Sequence, residues 1–291
     1  MAAELDRAAL EGFPPPPLAG GDKNDRGRLL VIAGSRGLPG AALLCALAAM
    51  RAGTGKLKIA TAASIAPQVG VAMPESRTIG LAESADDGFA MSALDQLLEL
   101  ASMVDAVVAG PGIAESAVCA PLAGALLKSS AACALDAGML RALPGLEADS
   151  KAAAKMPLLL PHARELAALL CCEQESVEED PAGCARQCAA RYNAITVAKG
   201  AASHIAHPDG RVWTYGGGGP GLGVSGSGDV LAGIVGGLLA RGADPLTAML
   251  WGVWLHGEAG RALAKRVGPL GFLAREIPAE IPALLAHASF E

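Results

Sequence analysis

A chain of 291 residues with 52% hydrophobic and only 3% aromatic residues is long enough to bury a large core without disulfides or metals, and too apolar for global disorder. Its net charge is −6 and it holds no basic run able to neutralise a row of phosphates, which argues against a nucleic-acid partner. A small anionic substrate stays compatible, because local donors hold phosphate even in an acidic protein.

The seven cysteines are odd in number, lie mostly in apolar runs and form no CxxC, so they read as structural thiols in a reducing cytoplasm. Cys184 and Cys188 are spaced to share a helix face, but no second ligand pair follows them. No basic segment precedes an apolar stretch near Met1, so no signal peptide is expected. The longest apolar runs fall short of the ~20 residues of a membrane span.

Along the chain, residues 4–11 read as a short helix that Pro14 to Pro17 bring to an end. Residues 1–27 then form an N-terminal arm, packed on the surface or on a neighbouring subunit. From residue 28 apolar strands alternate with helices. The expected strands are 28–33, 55–61, 105–110, 131–135, 156–160 and 194–199. Helices are expected at 40–52, 90–101 and 181–192. That alternation predicts a parallel sheet with helices on both faces. Residues 203–206 and 212–215 flank Pro208-Asp209-Gly210, a hairpin signal. Helices follow at 230–241, 245–267 and 279–287. With no repeat and no linker, residues 1–291 read as a single domain of α/β class.

The strongest local signal is the glycine-rich stretch from Gly216 to Gly228, which runs into a helix at Asp229. Glycines permit close approach of backbone to ligand, and the first helical N–H groups are unpaired at the positive end of the dipole. Together they suit a transferring phosphoryl group. Asp229 in the first turn can cap the helix or act as a base toward a hydroxyl. The bland alternative is a flexible loop with a capping Asp. No Lys-Ser/Thr follows the last glycine, so this is not a Walker A loop.

Lys199-Gly200-Ala201-Ala202-Ser203 follows a strand, and Gly110-Pro111-Gly112, Asp136-Ala137-Gly138 and Pro161-His162 end others. In open parallel sheets ligands gather at the carboxyl ends of strands. Each turn alone also reads as a plain surface loop, and His162 as a helix cap. His256 reads as a core histidine rather than a catalytic one.

In this order and spacing, the pieces resemble the ADP/ATP-dependent NAD(P)HX dehydratases of the ribokinase-like fold. The resemblance runs from Gly34-Ser35 and Pro39-Gly40-Ala41-Ala42, through Gly110-Pro111-Gly112, Leu135-Asp136-Ala137, Pro161-His162 and Lys199-Gly200. It continues with Gly226-Ser227-Gly228-Asp229 and ends at His256-Gly257 with Ala259-Gly260. It implies a three-layer α/β/α sandwich with a mostly parallel central sheet. It also implies repair of hydrated NADH or NADPH by dehydration, at the expense of ADP or ATP with Mg²⁺. Carried over by position, Asp229 is the base and contacts the hydrated nicotinamide. Ala41 or Ala42, Gly112 and His162 line the NAD(P)HX pocket. Lys199, Gly200, Ala201, Ala202 and Ser203 touch the nucleotide, and Gly226, Ser227 and Gly228 hold its phosphates. No dedicated carboxylate cage for a metal is visible. The absence of a fused epimerase domain favours ADP and action on the (6S) epimer alone, and family habit implies a homotetramer.

Three departures stand out. Leu160 replaces a Thr before Pro-His, residues 216–219 replace a segment that commonly carries Asn, and Ser203 replaces a Thr while keeping the hydroxyl. Two rivals follow. A vitamin or sugar kinase of the same fold would stop at a phosphorylated product. A non-enzymatic nucleotide-binding protein would have lost activity with those polar groups. Pro39-Gly40-Ala41-Ala42 and Pro161-His162 argue against the first, and the retained Asp229 argues against the second.

Overall fold

In the computed structural model, which describes residues 2–17 and 22–288, the chain builds one ten-stranded sheet. In chain order the strands are β1 (Ala3–Glu4), β2 (Arg28–Ile32), β3 (Lys56–Ala62), β4 (Ser76–Leu81) and β5 (Ala106–Ala109). They continue with β6 (Ala132–Leu135), β7 (Leu158–Leu159), β8 (Ile195–Ala198), β9 (Ser203–Ala206) and β10 (Val212–Tyr215). The spatial order is β1-β10-β9-β8-β7-β6-β5-β2-β3-β4. All neighbours pair in parallel except β8 with β9 and β9 with β10. This is the ribokinase-like α/β/α sandwich expected from the sequence.

Alternation along each strand shows why helices must cover both faces. Leu29 and Val31 of β2 and Val108 of β5 bury on one side, with the helices Pro39–Arg51, Ser227–Ala240, Pro245–Arg266 and Ile277–Ala288. Leu30, Ile32, Val107 and Ala109 bury on the other, with Leu94–Ser102, Cys119–Lys128, Ala163–Leu170 and Pro181–Tyr192. Strands apolar on both faces are the mark of a covered parallel sheet. Among the described residues, no helix is long and apolar enough to cross a membrane.

Several expectations shift. Residues 4–11 do not form one helix: β1 pairs with Trp213 and Thr214 of β10, and only Arg7–Leu10 are helical, capped by Asp6. β4 was not expected. Its sequence SRTIGL lacks a continuous apolar run because it is an edge strand, buried only in part. The helix expected from residue 230 starts three residues earlier, at Ser227, because Gly226 with φ +87° lets the chain turn directly into it. The arm packs on its own chain. Leu5 and Leu10 are buried, Phe13 meets Trp213 edge-on at 5.8 Å, and Trp251 Nε1 donates to the Phe13 carbonyl at 2.6 Å. Residues 1 and 18–21 of the arm lie outside the described residues.

The topology places the ligand edge. The chain runs outward from β2 to β4, then returns to β5 and proceeds the other way, so the order reverses between β2 and β5. The crevice beyond the carboxyl ends of strands at such a reversal is where open α/β sheets bind ligands. Gly34 and the Gly110-Pro111-Gly112 turn meet there: the Gly34 amide donates to the Pro111 carbonyl at 2.8 Å.

Candidate active site

The expected turns converge on this edge. A cavity of about 810 Å³ is lined by His162, Lys199, Gly200, Ala201 and Ser203 on one side and by Ser227 and Gly228 on the other. Its size is within the range that holds a nucleotide. The glycine-rich loop supplies a third wall through Gly216, Gly217, Gly219 and Gly223, and the floor includes Tyr215, Leu231, Val253 and His256. Ala202 and Gly226 flank the lining residues without being part of them.

The Ser227–Ala240 helix aims its N-terminus at this space. The Ser227 and Val230 amides are taken up by the Val224 and Gly226 carbonyls. Those of Gly228 and Asp229, between them, have no acceptor among the described residues, so they remain available to an anion. Asp229 does not cap the helix: Gly226 is the N-cap and no side-chain cap bond forms. Its carboxylate is therefore uncommitted. Burial, with the Asp136 charge adding and Lys199 opposing, pushes its pKa up to about 6.

Lys199 lies over this helix start, where a β-carbon added to Gly228 would sit 3.5 Å from its Nζ. The ammonium is not a free surface group. It pairs with Asp136 Oδ1 at 2.8 Å, with side-chain exposures of 18% for Lys199 and 4% for Asp136. Asp136 follows β6 and also accepts from the Ala137 amide at 2.9 Å.

His162 caps the Ala163–Leu170 helix in a reciprocal box with Glu165, and its half-exposed ring also lines the cavity. Ala41 is pressed against Gly112, where an added β-carbon would come within 2.5 Å of the Ala41 methyl at a φ of +63°. Both lie at the reversal point rather than on the cavity wall. Ala42 is fully buried beneath Gly34, and Ala41 keeps 8% exposure.

Two contributors escaped the sequence reading. Asp136 was noted only as part of a strand-end turn. His256 was assigned to the core, whereas it is half-buried in the cavity floor beneath the helix start. Its Nε2 lies 3.0 Å from Ser227 Oγ and 3.1 Å from the Ser227 carbonyl. A carbonyl only accepts, so Nε2 carries the hydrogen. Burial pushes the imidazole pKa down to about 4, which keeps the ring neutral. The signal for it was its place in a helix next to Gly257 and one turn before Gly260, where small residues admit Tyr215 and Leu222. His256→Phe keeps an aromatic ring at this position and removes the donor. It is expected to raise the KM for nucleotide about fivefold, the worth of one hydrogen bond, with a smaller change in kcat; steady-state kinetics check this.

Leu160 and residues 216–219 are the departures noted above. Leu160 is fully buried at the end of β7, so an apolar residue suits that position. Beside the glycines, Tyr215 Oη donates to Glu258 at 2.8 Å and Arg261 pairs with the same carboxylate at 3.1 Å. These three bring polar groups to the rim where the Asn is missing. All seven cysteines are free, with Cys171 and Cys172 exposed and the rest buried. Among the described residues, no three His, Cys, Asp or Glu side chains form a cage for a cation. Asp136 is already engaged by Lys199, so the chain does not fit Mg²⁺ as an ion held by its own side chains.

The profile of the NAD(P)H-hydrate dehydratase family matches residues 29–283. An ADP-dependent (S)-NAD(P)H-hydrate dehydratase of Xanthomonas campestris is 47% identical over 93% of this chain and 92% of its own. A Bacillus subtilis enzyme of the same name is 32% identical over 89% of each chain. A bifunctional NAD(P)H-hydrate repair enzyme of Moorella thermoacetica is 34% identical, and the chain spans about half of it (52%). Among solved structures, the B. subtilis ADP/ATP-dependent NAD(P)H-hydrate dehydratase co-crystallised with ATP/Mg²⁺ superposes with a TM-score of 0.84 over 99% of both chains, at 26% identity. A hydroxyethylthiazole kinase from Pyrococcus horikoshii shares the fold, with a TM-score of 0.59 over 91% of this chain and 89% of its own at 16% identity.

Proposed function

The chain belongs to the NAD(P)H-hydrate dehydratase family, and on that premise we propose that it dehydrates (6S)-NAD(P)HX to NAD(P)H at the expense of ADP, releasing AMP and phosphate. The observation that carries this reading is Asp229, an uncommitted carboxylate in the first turn of a glycine-capped helix beside a nucleotide-sized cavity.

The chemistry follows from the leaving group. Hydroxide departs poorly from the hydrated nicotinamide ring, whereas phosphate departs readily. Asp229 takes the hydroxyl proton, and the oxygen attacks the terminal phosphorus of ADP, with AMP leaving. The ring nitrogen then pushes its electron pair toward the carbon that bears the ester, phosphate leaves, and a neighbouring ring proton is lost to restore the double bond. The free amides of Gly228 and Asp229 and the Lys199 ammonium meet the transferring group's charge. Lys199 to Ser203 hold the nucleotide. Ala41, Gly112 and His162 bound the space for the nicotinamide substrate. Mg²⁺ carried on the nucleotide's phosphates would supply charge neutralisation, with no side chain of this chain assigned to hold it. We further assign the protein to the cytoplasm and to a homotetramer, in keeping with its free thiols and its family.

The test is absorbance at 340 nm with NADHX, Mg²⁺ and either ADP or ATP. A rise with ADP supports the assignment, a rise with ATP alone changes the donor, and a stable phosphorylated product would turn the reading to a kinase. The base also sets a pH dependence. Asp229 acts as its anion, so kcat/KM is expected to fall tenfold per unit of pH below about 6 and to be flat just above it; a pH–rate profile checks the limb.

A further inference from the structure

Three charges share the helix start, and only two of them pair. Lys199 has two carboxylates within electrostatic reach, Asp136 and Asp229. It pairs with Asp136, and no ion pair joins it to Asp229. Backbone fixes this choice. The Asp136 carboxylate is anchored by the Ala137 amide, and Gly110 packs so tightly on the Asp136 backbone that an added β-carbon would lie 1.7 Å from its carbonyl oxygen. The strand ends carrying the two partners are also tied through β7, where His162 bridges to Lys199. An ammonium has three donors. Held by Asp136 through one, Lys199 keeps two for phosphate oxygens.

We propose that Asp136 is a positioning residue that acts as a decoy partner: it holds Lys199 at the phosphoryl site and so keeps that ammonium from pairing with, and neutralising, the base Asp229. A lysine left without Asp136 would find in Asp229 the nearest remaining carboxylate. The resulting pair would stabilise the anion and weaken it as a proton acceptor. The other titratable groups facing Asp229 do not compete. Cys45, of the Pro39–Arg51 helix, is buried and its thiol is pushed well up by burial and by the two aspartates, so it stays neutral. His256, of the Pro245–Arg266 helix, is neutral and bonded to Ser227. Asp136 is thus a structural ion-pair partner whose removal alters chemistry at a different residue.

This inference rests on the dehydratase reading, and the experiment separates the two. The acid limb of kcat/KM for NADHX is measured in wild type, Asp136→Asn, Lys199→Met and the double variant. If the wild-type enzyme shows no nucleotide-dependent rise at 340 nm, the function fails before the decoy is tested, and the decoy is then read by following the Asp229 carboxyl carbon by NMR across pH in the same four proteins. With Asp136→Asn the limb is expected to move to lower pH, and kcat to drop, because Lys199 turns to Asp229. Introducing Lys199→Met into that variant is expected to bring the limb back up. The shift caused by Asp136→Asn is then several-fold smaller in the Lys199→Met background than in wild type. Equal shifts in both backgrounds would overturn the decoy, since they would mean that Asp136 acts only through its own charge. An unmoved limb in Asp136→Asn, with lowered thermal stability alone, would reduce it to a structural residue.

Discussion

Asp229→Asn is expected to lower turnover by about 10²–10⁴-fold while ADP binding is retained. The asparagine keeps the size of the side chain and leaves the Gly228 amide and Lys199 in place, so the phosphate cradle survives. What it removes is the acceptor for the substrate's hydroxyl proton. Stability moves in the opposite direction. Folding raises the Asp229 pKa from 3.8 to about 6, so between those values the native state binds more protons than the unfolded chain. Stability therefore declines as pH rises through that window, and the cost persists at neutral pH. An uncharged asparagine escapes that cost, so the variant should melt no lower than wild type at pH 7.5. Inactivity combined with undiminished stability is the mark of a group kept for chemistry at the expense of folding. Near-wild-type turnover at 340 nm would remove Asp229 from the base role. Loss of ADP binding in equilibrium dialysis would recast it as a nucleotide ligand.

The elements easiest to read in the sequence were those whose information is local. Apolar strands with turn residues at their ends, such as β2, β5 and β6, and the hairpin around Pro208-Asp209-Gly210 carry their own signals, and they occur where expected. The glycine-rich loop and Asp229 were legible for the same reason. What escaped depends on partners far along the chain. β1 is a strand only because Trp213 and Thr214 offer it an edge, and β4 only because β3 does. The pairing of Lys199 with Asp136 escaped as well, because nothing near Lys199 announces a carboxylate 63 residues away. His256 looked like core, since its helix is apolar, while its hydrogen-bond partner lies 29 residues earlier.

Gly233→Ala is expected to destabilise the protein by about 2 kcal/mol or more, although alanine is the better helix former by ~1 kcal/mol. The reason lies in what the Ser227–Ala240 helix touches. A β-carbon at Gly233 would lie 2.1 Å from the Cys45 carbonyl oxygen and 2.8 Å from the Ala48 methyl. The first obstacle is backbone, so no rotamer change relieves it, and the two helices must separate. A β-carbon added at Gly237, one turn on, would lie 2.7 Å from the Ala49 carbonyl, and one at Gly236 would lie 2.1 Å from Val108 of the sheet, so the helix has no free side toward which to shift. Gly40 provides the contrast within the partner helix: nothing lies within 4 Å of its added β-carbon, and Gly40→Ala should be neutral or stabilise by up to ~1 kcal/mol. Urea denaturation midpoints of the two variants measure the difference. The packing also joins fold to function, because the helices forced apart carry Ala41 at the start of one and Asp229 at the start of the other. A Gly233→Ala protein that remains folded should therefore lose kcat/KM for the nicotinamide substrate more than it loses affinity for ADP, whose proposed contacts are Lys199 to Ser203 and Gly228. Equal losses in both would mean that the two helices do not set the spacing between base and substrate.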